Sequence, residues 1–358
     1  EHMDADTRAA YRRVVEELAR GTGMDEEAVA REAVLMANAE RRQSAPSPRY
    51  MHVGHYLVDE GREALEERVH WSPPDLVRLG RWLRGHAVSA YLGGIAFVTA
   101  LTVVALLAFA ARADGGFWAL LAVGLLSLIP ASVVAVSIVN LVVTRTVRPR
   151  ILPKMDYSEG LPEHIKGIVV VPALLTSEDE VRSLLRQLEQ HYLANSDPQL
   201  SFGLLTDHVD ASQEEMPEDQ VLVALAEEGI EVLNARHGDE DGQEPFYLFH
   251  RRRLWNEAEG RWMGWERKRG KLEEFNRLLL GHGVTSFTVL CGDLEALEGI
   301  QYVITLDADT TLSHGVAARL IGTLSHPLNR PLFRDDRVVA GYTVLQPRVE
   351  LTPTSANR

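Results

Sequence analysis

The sequence predicts an α/β domain on a largely parallel, buried sheet, preceded by a small helical region and a two-helix transmembrane hairpin. Three observations predict it. From Lys166 onward, short apolar runs alternate with helical segments. Two almost uncharged apolar stretches, 86–111 and 117–144, each exceed the roughly 20 residues that cross a bilayer as helix. Ahead of them, apolar residues recur at near-helical spacing in an otherwise polar segment. The expected division is a helical adaptor over 1–84, two transmembrane helices with a short periplasmic turn over 85–146, and the α/β domain over 147–358.

The first segment reads as two helices broken at Gly21-Thr22-Gly23, with Val14, Val15 and Leu18 on one and Val29, Ala33, Val34 and Met36 on the other. Asp25 is placed to cap the second. A loop marked by Ser44, Pro46, Ser47 and Pro48 follows, then an amphipathic piece over 59–69 before Trp71-Ser72-Pro73-Pro74. His52 and His55 lack a third ligand in the sequence and read as packing or surface residues.

The apolar stretches are joined by Arg112-Ala113-Asp114-Gly115-Gly116, and Pro130 is placed to kink the second. A soluble core helix can be apolar all round, but two such lengths joined by a tight turn favour a membrane pair. Arg78, Arg81 and Arg84 precede the pair and Arg145, Arg148, Arg150 and Lys154 follow it, while the turn carries Arg112 alone. The positive-inside rule then expects both polar parts in the cytosol.

In the third segment, strands are expected at 168–171, 202–206, 247–249 and 302–306, and helices at 178–192, 221–228 and 271–280. The acidic run 238–244 reads as an exposed loop. Hydrophobic residues make up 46% of the chain, so an apolar part must be local and balanced by a polar remainder. A net charge of -14 argues against broad nucleic-acid binding, which needs a basic face. The single cysteine, Cys291, permits no intrachain disulfide or cysteine-based zinc site, and reads as a core residue in a reducing compartment.

The chemistry concentrates in three places. At Tyr302-Val303-Ile304-Thr305-Leu306-Asp307-Ala308-Asp309, an apolar strand delivers two carboxylates, one residue apart, to the edge where a parallel sheet opens its ligand crevice. Such oxygens suit Mg²⁺ or Mn²⁺, which can bridge to phosphate. A bare Asp-x-Asp recurs by chance; its position after a strand gives it weight. Upstream, Arg267, Lys268, Arg269 and Lys271 surround Gly270 at a loop-to-helix junction, where side chains and free backbone N–H groups can meet a phosphate together. A solvated basic turn or a lipid contact would use the same residues. Asp207 ends the strand Phe202-Gly203-Leu204-Leu205-Thr206, so it can share that crevice and accept from a uracil N–H; a turn-forming Asp explains it equally well. Trp255, Trp262 and Trp265 read either as a sugar-stacking platform or as packing of a hairpin around 256–260.

These pieces, following Ile168-Val169-Val170-Val171-Pro172, resemble the GT-A-type processive inverting glycosyltransferases. Leu174-Leu175-Thr176, Leu204-Leu205-Thr206-Asp207, the run Met263-Gly264-Trp265-Glu266-Arg267-Lys268-Arg269-Gly270-Lys271-Leu272-Glu273-Glu274-Phe275-Asn276 and Thr305-Leu306-Asp307-Ala308-Asp309-Thr310 look like the bacterial cyclic β-1,2-glucan synthases. The likeness extends more loosely to His52-Val53-Gly54-His55-Tyr56-Leu57 and covers most of the chain.

What the resemblance implies is a GT-A-like, Rossmann-like nucleotide-sugar-binding domain at the bacterial inner membrane. UDP-glucose is then the donor and a growing β-1,2-glucan the acceptor. Thr176 and Asp207 are expected at the donor, Lys268 and Lys271 or Arg267 and Arg269 at its diphosphate, and Asp307 and Asp309 at the nucleotide and a Mg²⁺ or Mn²⁺ ion. The general base that deprotonates the acceptor lies, in related enzymes, in a Thr-Glu-Asp segment absent before Arg358, so it is expected further downstream. The polar start Glu1-His2-Met3-Asp4 and the unfinished pattern at 351–358 suggest an excerpt of a longer polypeptide, with more membrane helices and a glycoside-phosphorylase-like domain to follow. Two rivals stay open: a processive synthase making another β-glucan linkage, and a non-catalytic membrane scaffold.

Overall fold

The computed structural model describes residues 2–42, 47–147, 149, 151–238, 244–282 and 285–348. The acidic loop expected at 238–244 falls largely outside these residues, as do Ser44, Pro46, Arg148, Arg150 and the segment 351–358. The chain divides into two compact units, one of Arg12–Pro46 with Val53–Leu152, the other of Glu1–Tyr11, Ser47–His52 and Pro153–Arg358.

The first unit is helical. It holds most of α1 (Ala5–Thr22), then α2 (Glu26–Glu40), α3 (Val53–Val58), α4 (Arg62–Arg68), α5 (Asp75–Gly85), α6 (Ala87–Arg112) and α7 (Phe117–Thr146). The break after α1 has a steric cause: a Cβ on Gly21 would lie 2.1 Å from the Trp71 indole nitrogen, and Gly23 takes φ 73°. Leu18, Val29, Ala33 and Leu65 are fully buried, whereas Val34 faces outward. Asp25 holds the N-cap position of α2 in an extended conformation but makes no side-chain capping bond. Glu66, 3% exposed, accepts from Arg62 at 2.7 Å and twice from Arg81, at 2.7 and 2.6 Å. These two guanidiniums outweigh the desolvation that would otherwise raise its carboxyl, and hold it below the usual range.

α6 and α7 have a mean hydropathy of 2.4 over their most apolar stretches and are long enough to cross a membrane. Their 26 and 30 residues rise ~39 Å and ~45 Å, against a hydrocarbon core of roughly 30 Å. No residue of α6 is buried, and in α7 Ala131 and Ala135 are. Phe97, Phe109, Trp118 and Leu126 all stand at least 69% exposed, a state that costs about 25 cal/mol per Å² in water and nothing in lipid. The two helices meet along small residues, with Gly94 against Val139, and Tyr91 donates to Asn140 at 2.9 Å. Among the described residues neither helix is packed as the core helix of a soluble domain is.

The second unit is the α/β domain. Its elements are β1 (Gly167–Leu175), α8 (Glu178–Ala194), β2 (Leu200–His208), α9 (Asp219–His237), β3 (Phe246–Arg251), β4 (Leu254–Asn256), β5 (Arg261–Met263), α10 (Arg267–Leu279), β6 (Phe287–Cys291), β7 (Tyr302–Thr305), α11 (Val316–Ser325), β8 (Leu332–Arg334) and β9 (Arg337–Ala340). Five strands form one sheet in the order β6-β3-β2-β1-β7. β1, β2, β3 and β7 run parallel and β6 antiparallel. β4–β5 and β8–β9 are separate two-stranded hairpins.

The period of two along β1 divides the core. Val169, Val171, Ala173 and Leu175 join one cluster with Leu184 and Leu188 of α8, Ala226 and Ile230 of α9 and Ile321 of α11. Ile168 and Val170 join the other with Phe249 and with Phe275 of α10. Helices therefore cover both faces, which is why β1 and β2 read as continuous apolar runs. Ser177 caps α8 by accepting from the Glu180 N–H at 3.3 Å, and three acidic residues occupy its first turn. Two short N-terminal pieces belong to this unit: Asp4 donates its N–H to the Lys154 carbonyl at 3.1 Å, and His52 packs edge-on against the fully buried His326, ring centroids 4.8 Å apart. Several elements exceed the sequence expectation. α9 is much longer than 221–228, α10 begins at Arg267 rather than Lys271, and β6, α11 and the β8–β9 hairpin were not anticipated.

Candidate functional site

Because β1, β2, β3 and β7 are parallel, their carboxyl ends share one edge. Register places Leu174 beside Asp207, and Asp207 beside Arg251. Thr176 follows β1 at this edge and is exposed; Leu306 to Asp309 follow β7. α10 starts there too, so three of the sequence motifs converge on one rim.

The lower layer of this rim is buried. Arg251, 0% exposed, clamps Asp207 with Nε to Oδ1 at 2.7 Å and an Nη2 bond to Oδ2 at 2.9 Å. Its remaining donors reach the Glu274 carboxylate and the carbonyls of Trp265 and Arg267, all at 3.1 Å. Lys271, 2% exposed, lies 3.0 Å from Asp207 Oδ2 and donates to the Ala173 carbonyl at 2.6 Å. Burial lowers the Lys271 ammonium below its usual range against the pull of Asp207. Glu274 accepts from the Ser286 hydroxyl at 2.6 Å and N–H at 2.8 Å. Every charge in the layer is met by opposite charge or by dipoles, as buried ions require.

Beside it, two imidazoles link Thr206 to Asp219. The Thr206 hydroxyl is 2.9 Å from His250 Nδ1, His250 Nε2 is 2.9 Å from His208 Nε2, and His208 Nδ1 lies 3.3 Å from Asp219, which also pairs with Arg253. Burial, reinforced by the neighbouring His208, pushes His250 down to about 3, and burial lowers His208 as well. The His250 ring is therefore uncharged near neutrality, and its Nε2 lies within hydrogen-bond distance of that of His208.

The upper layer is open. Lys268 forms an ion pair with Asp307, their side chains 51% and 63% exposed. Asp309, two residues on, is exposed. Arg267 spans Asp210 and Glu259 at 3.0 Å each, and Arg269 is 3.9 Å from Glu266. The turn beneath is strained: Glu266 and Arg267 take φ 50° and 47°, unusual for residues with a Cβ. Glycines make it possible. A Cβ on Gly270 would sit 2.1 Å from the Trp265 carbonyl oxygen, and one on Gly264 would sit 2.8 Å from the Asp207 carboxyl. Among the described residues, no three His, Cys, Asp or Glu side chains gather as a ready metal cage.

The structure thus brings Asp207 and Lys271 together in the buried layer and Lys268 and Asp307 in the open one, with Asp309 exposed two residues further along the chain. Arg267 and Arg269 point to other partners. Sequence reasoning missed Arg251, Glu274 and His250. The available signal was Arg251 ending an apolar strand as Asp207 does, which parallel pairing turns into a cross-strand ion pair.

An α/β domain with a polar, two-layered rim, carried on a chain with two membrane-length helices, defines the class. No family model matches the chain. It is 41% identical, over 359 residues, to the cyclic β-(1,2)-glucan synthase NdvB of Rhizobium meliloti strain 1021. The match covers 99% of this chain but 13% of that protein, so the chain spans a small part of the relative's length. Over that part, the chain belongs to the cyclic β-1,2-glucan synthase family.

Proposed function

We propose that this chain is the membrane-anchored donor-binding part of a GT-A-type glycosyltransferase that elongates β-1,2-glucan from UDP-glucose. The observation that carries the reading is the exposed Lys268–Asp307 pair, with the exposed Asp309 two residues on, at the carboxyl edge of the parallel sheet. An exposed ion pair is worth about 0–1 kcal/mol, so Lys268 can leave Asp307 at little cost and turn to a diphosphate. Thr176 stands at the same edge for hydroxyl contacts, and Arg267 and Arg269 supply further positive charge.

Asp207 has about four acceptor sites, of which Arg251 and Lys271 take three. The one that remains, on Oδ1, belongs to a carboxylate only 2% exposed, so Asp207 supports the donor site from beneath, and a uracil N–H reaches it only if the rim opens. Lys271, held inside, acts on the donor by fixing Asp207 and the Ala173 carbonyl. The donor set also suits a hard divalent ion: Mg²⁺ is commonly held by one or two carboxylates together with substrate phosphates, rather than by an all-protein cage. Asp307 and Asp309 would hold it, and when bound it supplies charge neutralisation for the departing diphosphate. No general base is assigned within these residues. The outward-facing apolar surfaces of α6 and α7 support anchorage in a bilayer, with the polar parts on the cytosolic side.

The test is calorimetry of the chain in detergent micelles with UDP. Heat that requires Mg²⁺ or Mn²⁺ and is lost in Asp309→Asn is the expected result. A folded chain that binds no UDP in either metal would overturn the reading and favour a scaffold, while linkage analysis of the product made by a polypeptide carrying this chain would separate β-1,2-glucan from another β-glucan.

A further inference from the structure

The β4–β5 hairpin borders a cleft of about 640 Å³, of whose lining the donor reading uses Arg267 alone. The hairpin is fixed to the sheet: Trp262 exchanges two backbone bonds of 2.9 Å with Ala211, just beyond the carboxyl end of β2. The lining includes Trp255, Asn256, Glu257, Glu259, Trp265 and Arg267. Trp255 and Trp265 are 50% and 39% exposed, although large apolar rings are usually covered. Trp255 is propped edge-on by Trp262, with ring centroids 5.9 Å apart. Trp265 lies against Gly270, where a Cβ would meet its ring at 2.6 Å. Both indoles are thus held in place by packing while remaining open to a ligand.

The charges around them select the ligand. Glu257, Glu259 and Glu266 repel a phosphate, so the cleft does not extend the diphosphate site. Arg267 already neutralises Glu259 at 3.0 Å, which weakens the case for a cationic ligand. A neutral polyol remains: hydroxyls both donate and accept, matching carboxylates and a guanidinium side by side, and the apolar face of a glucose ring stacks on indole. The adjoining residue on the chain is Lys268, at the open rim, so a sugar in the cleft lies close in sequence to the donor machinery.

We propose that this cleft is a saccharide subsite that holds the growing glucan through Trp255 and Trp265, with Glu257 and Glu259 accepting from its hydroxyls. The identity of the sugar rests on the glucosyltransferase reading above; the existence of the site does not. The test is a saturation-transfer difference NMR titration of the chain in detergent micelles with linear β-1,2-glucan oligosaccharides. Trp255→Ala is run in parallel, and UDP with Mg²⁺ is titrated separately. Oligosaccharide binding that weakens at least about tenfold in the variant, with UDP affinity unchanged, is the expected result. Equal binding by the variant would overturn the subsite, as would binding of choline in place of oligosaccharide. So would no oligosaccharide binding by a chain that binds UDP, which leaves the donor reading intact. Binding of oligosaccharide through Trp255 without any UDP binding would support the subsite and remove the donor reading.

Discussion

Two layers of charge occupy the same sheet edge and have opposite fates. In the lower one, Asp207, Arg251, Lys271 and Glu274 are at most 8% exposed, and each charge is met by an opposite charge, a hydroxyl or the backbone. In the upper one, Lys268 and Asp307 are more than half exposed and hold each other by one contact. The difference teaches where to look for ligand binding. A buried ion pair that loses a partner leaves an uncompensated charge in low dielectric, whereas an exposed pair can exchange partners with almost no penalty. The lower layer is therefore a platform, and the upper layer is what a phosphate or metal can engage.

The sharpest way to break this contrast is Arg251→Ala. It leaves Asp207 with Lys271 alone and Glu274 with Ser286 and Thr285 and no cation, and leaves the Trp265 and Arg267 carbonyls without their donor. The expected loss is about 3–5 kcal/mol, read by chemical denaturation. A loss below about 1 kcal/mol would mean that water reaches the layer and that the division into platform and rim is wrong.

Acid should attack the same platform next. His250 sits under the rim with its pKa at about 3, against about 6.5 for the unfolded chain. A folded-state pKa below the unfolded one means that the unfolded chain binds the proton first, so stability is full above about pH 6.5 and falls as pH drops toward 3. By pH 5 this one group removes about 2 kcal/mol. Denaturation midpoints measured between pH 7.5 and 5 should fall in the native chain and fall less in His250→Gln. Parallel slopes would show that His250 is not the group responsible. His326, pushed to about 3 by burial and the nearby His52, adds to the decline in the same direction.

The open layer was the more legible from sequence, for a physical reason. Asp307 and Asp309 stand one residue apart after an apolar run, and Lys268 stands two residues before a glycine at a helix start; both are local patterns that survive whatever the tertiary structure does. The platform depends on register. Asp207 meets Arg251 because β2 and β3 are parallel neighbours, 44 residues apart in the chain, and no local pattern carries that. Lys271 was grouped with the exposed cations because spacing cannot tell whether a side chain turns toward solvent or toward a carbonyl at the end of β1. The antiparallel β6 was missed because Phe287-Thr288-Val289-Leu290-Cys291 is short, and its pairing partner, β3, lies far upstream. The two apolar helices needed no such help, since length and composition alone define them.

A smaller effect sharpens the contrast at the hinge between the layers. Gly270 lets α10 begin directly over Trp265, and in Gly270→Ala the added methyl would collide with a backbone carbonyl that cannot swing away. The expected cost is about 1–3 kcal/mol, together with weaker UDP binding, because the strained Glu266 and Arg267 turn that presents Lys268 would shift. Unchanged UDP affinity in the destabilised variant would separate the turn from donor binding.

The smallest stability effect should accompany the clearest functional one. Lys268→Ala removes a side chain that is half exposed and held by a single ion pair, so the fold should lose no more than about 0.5 kcal/mol. UDP affinity in Mg²⁺ should nevertheless drop at least about tenfold, because a desolvated ammonium on a diphosphate contributes far more than one facing a solvated carboxylate. The two readouts pull apart only if the upper layer is built for a ligand. Were Lys268→Ala to destabilise the domain by several kcal/mol, the pair with Asp307 would be a structural clasp. Were it to leave both stability and UDP affinity untouched, the phosphate would have to be met by Arg267 or Arg269, the two remaining exposed cations of the motif.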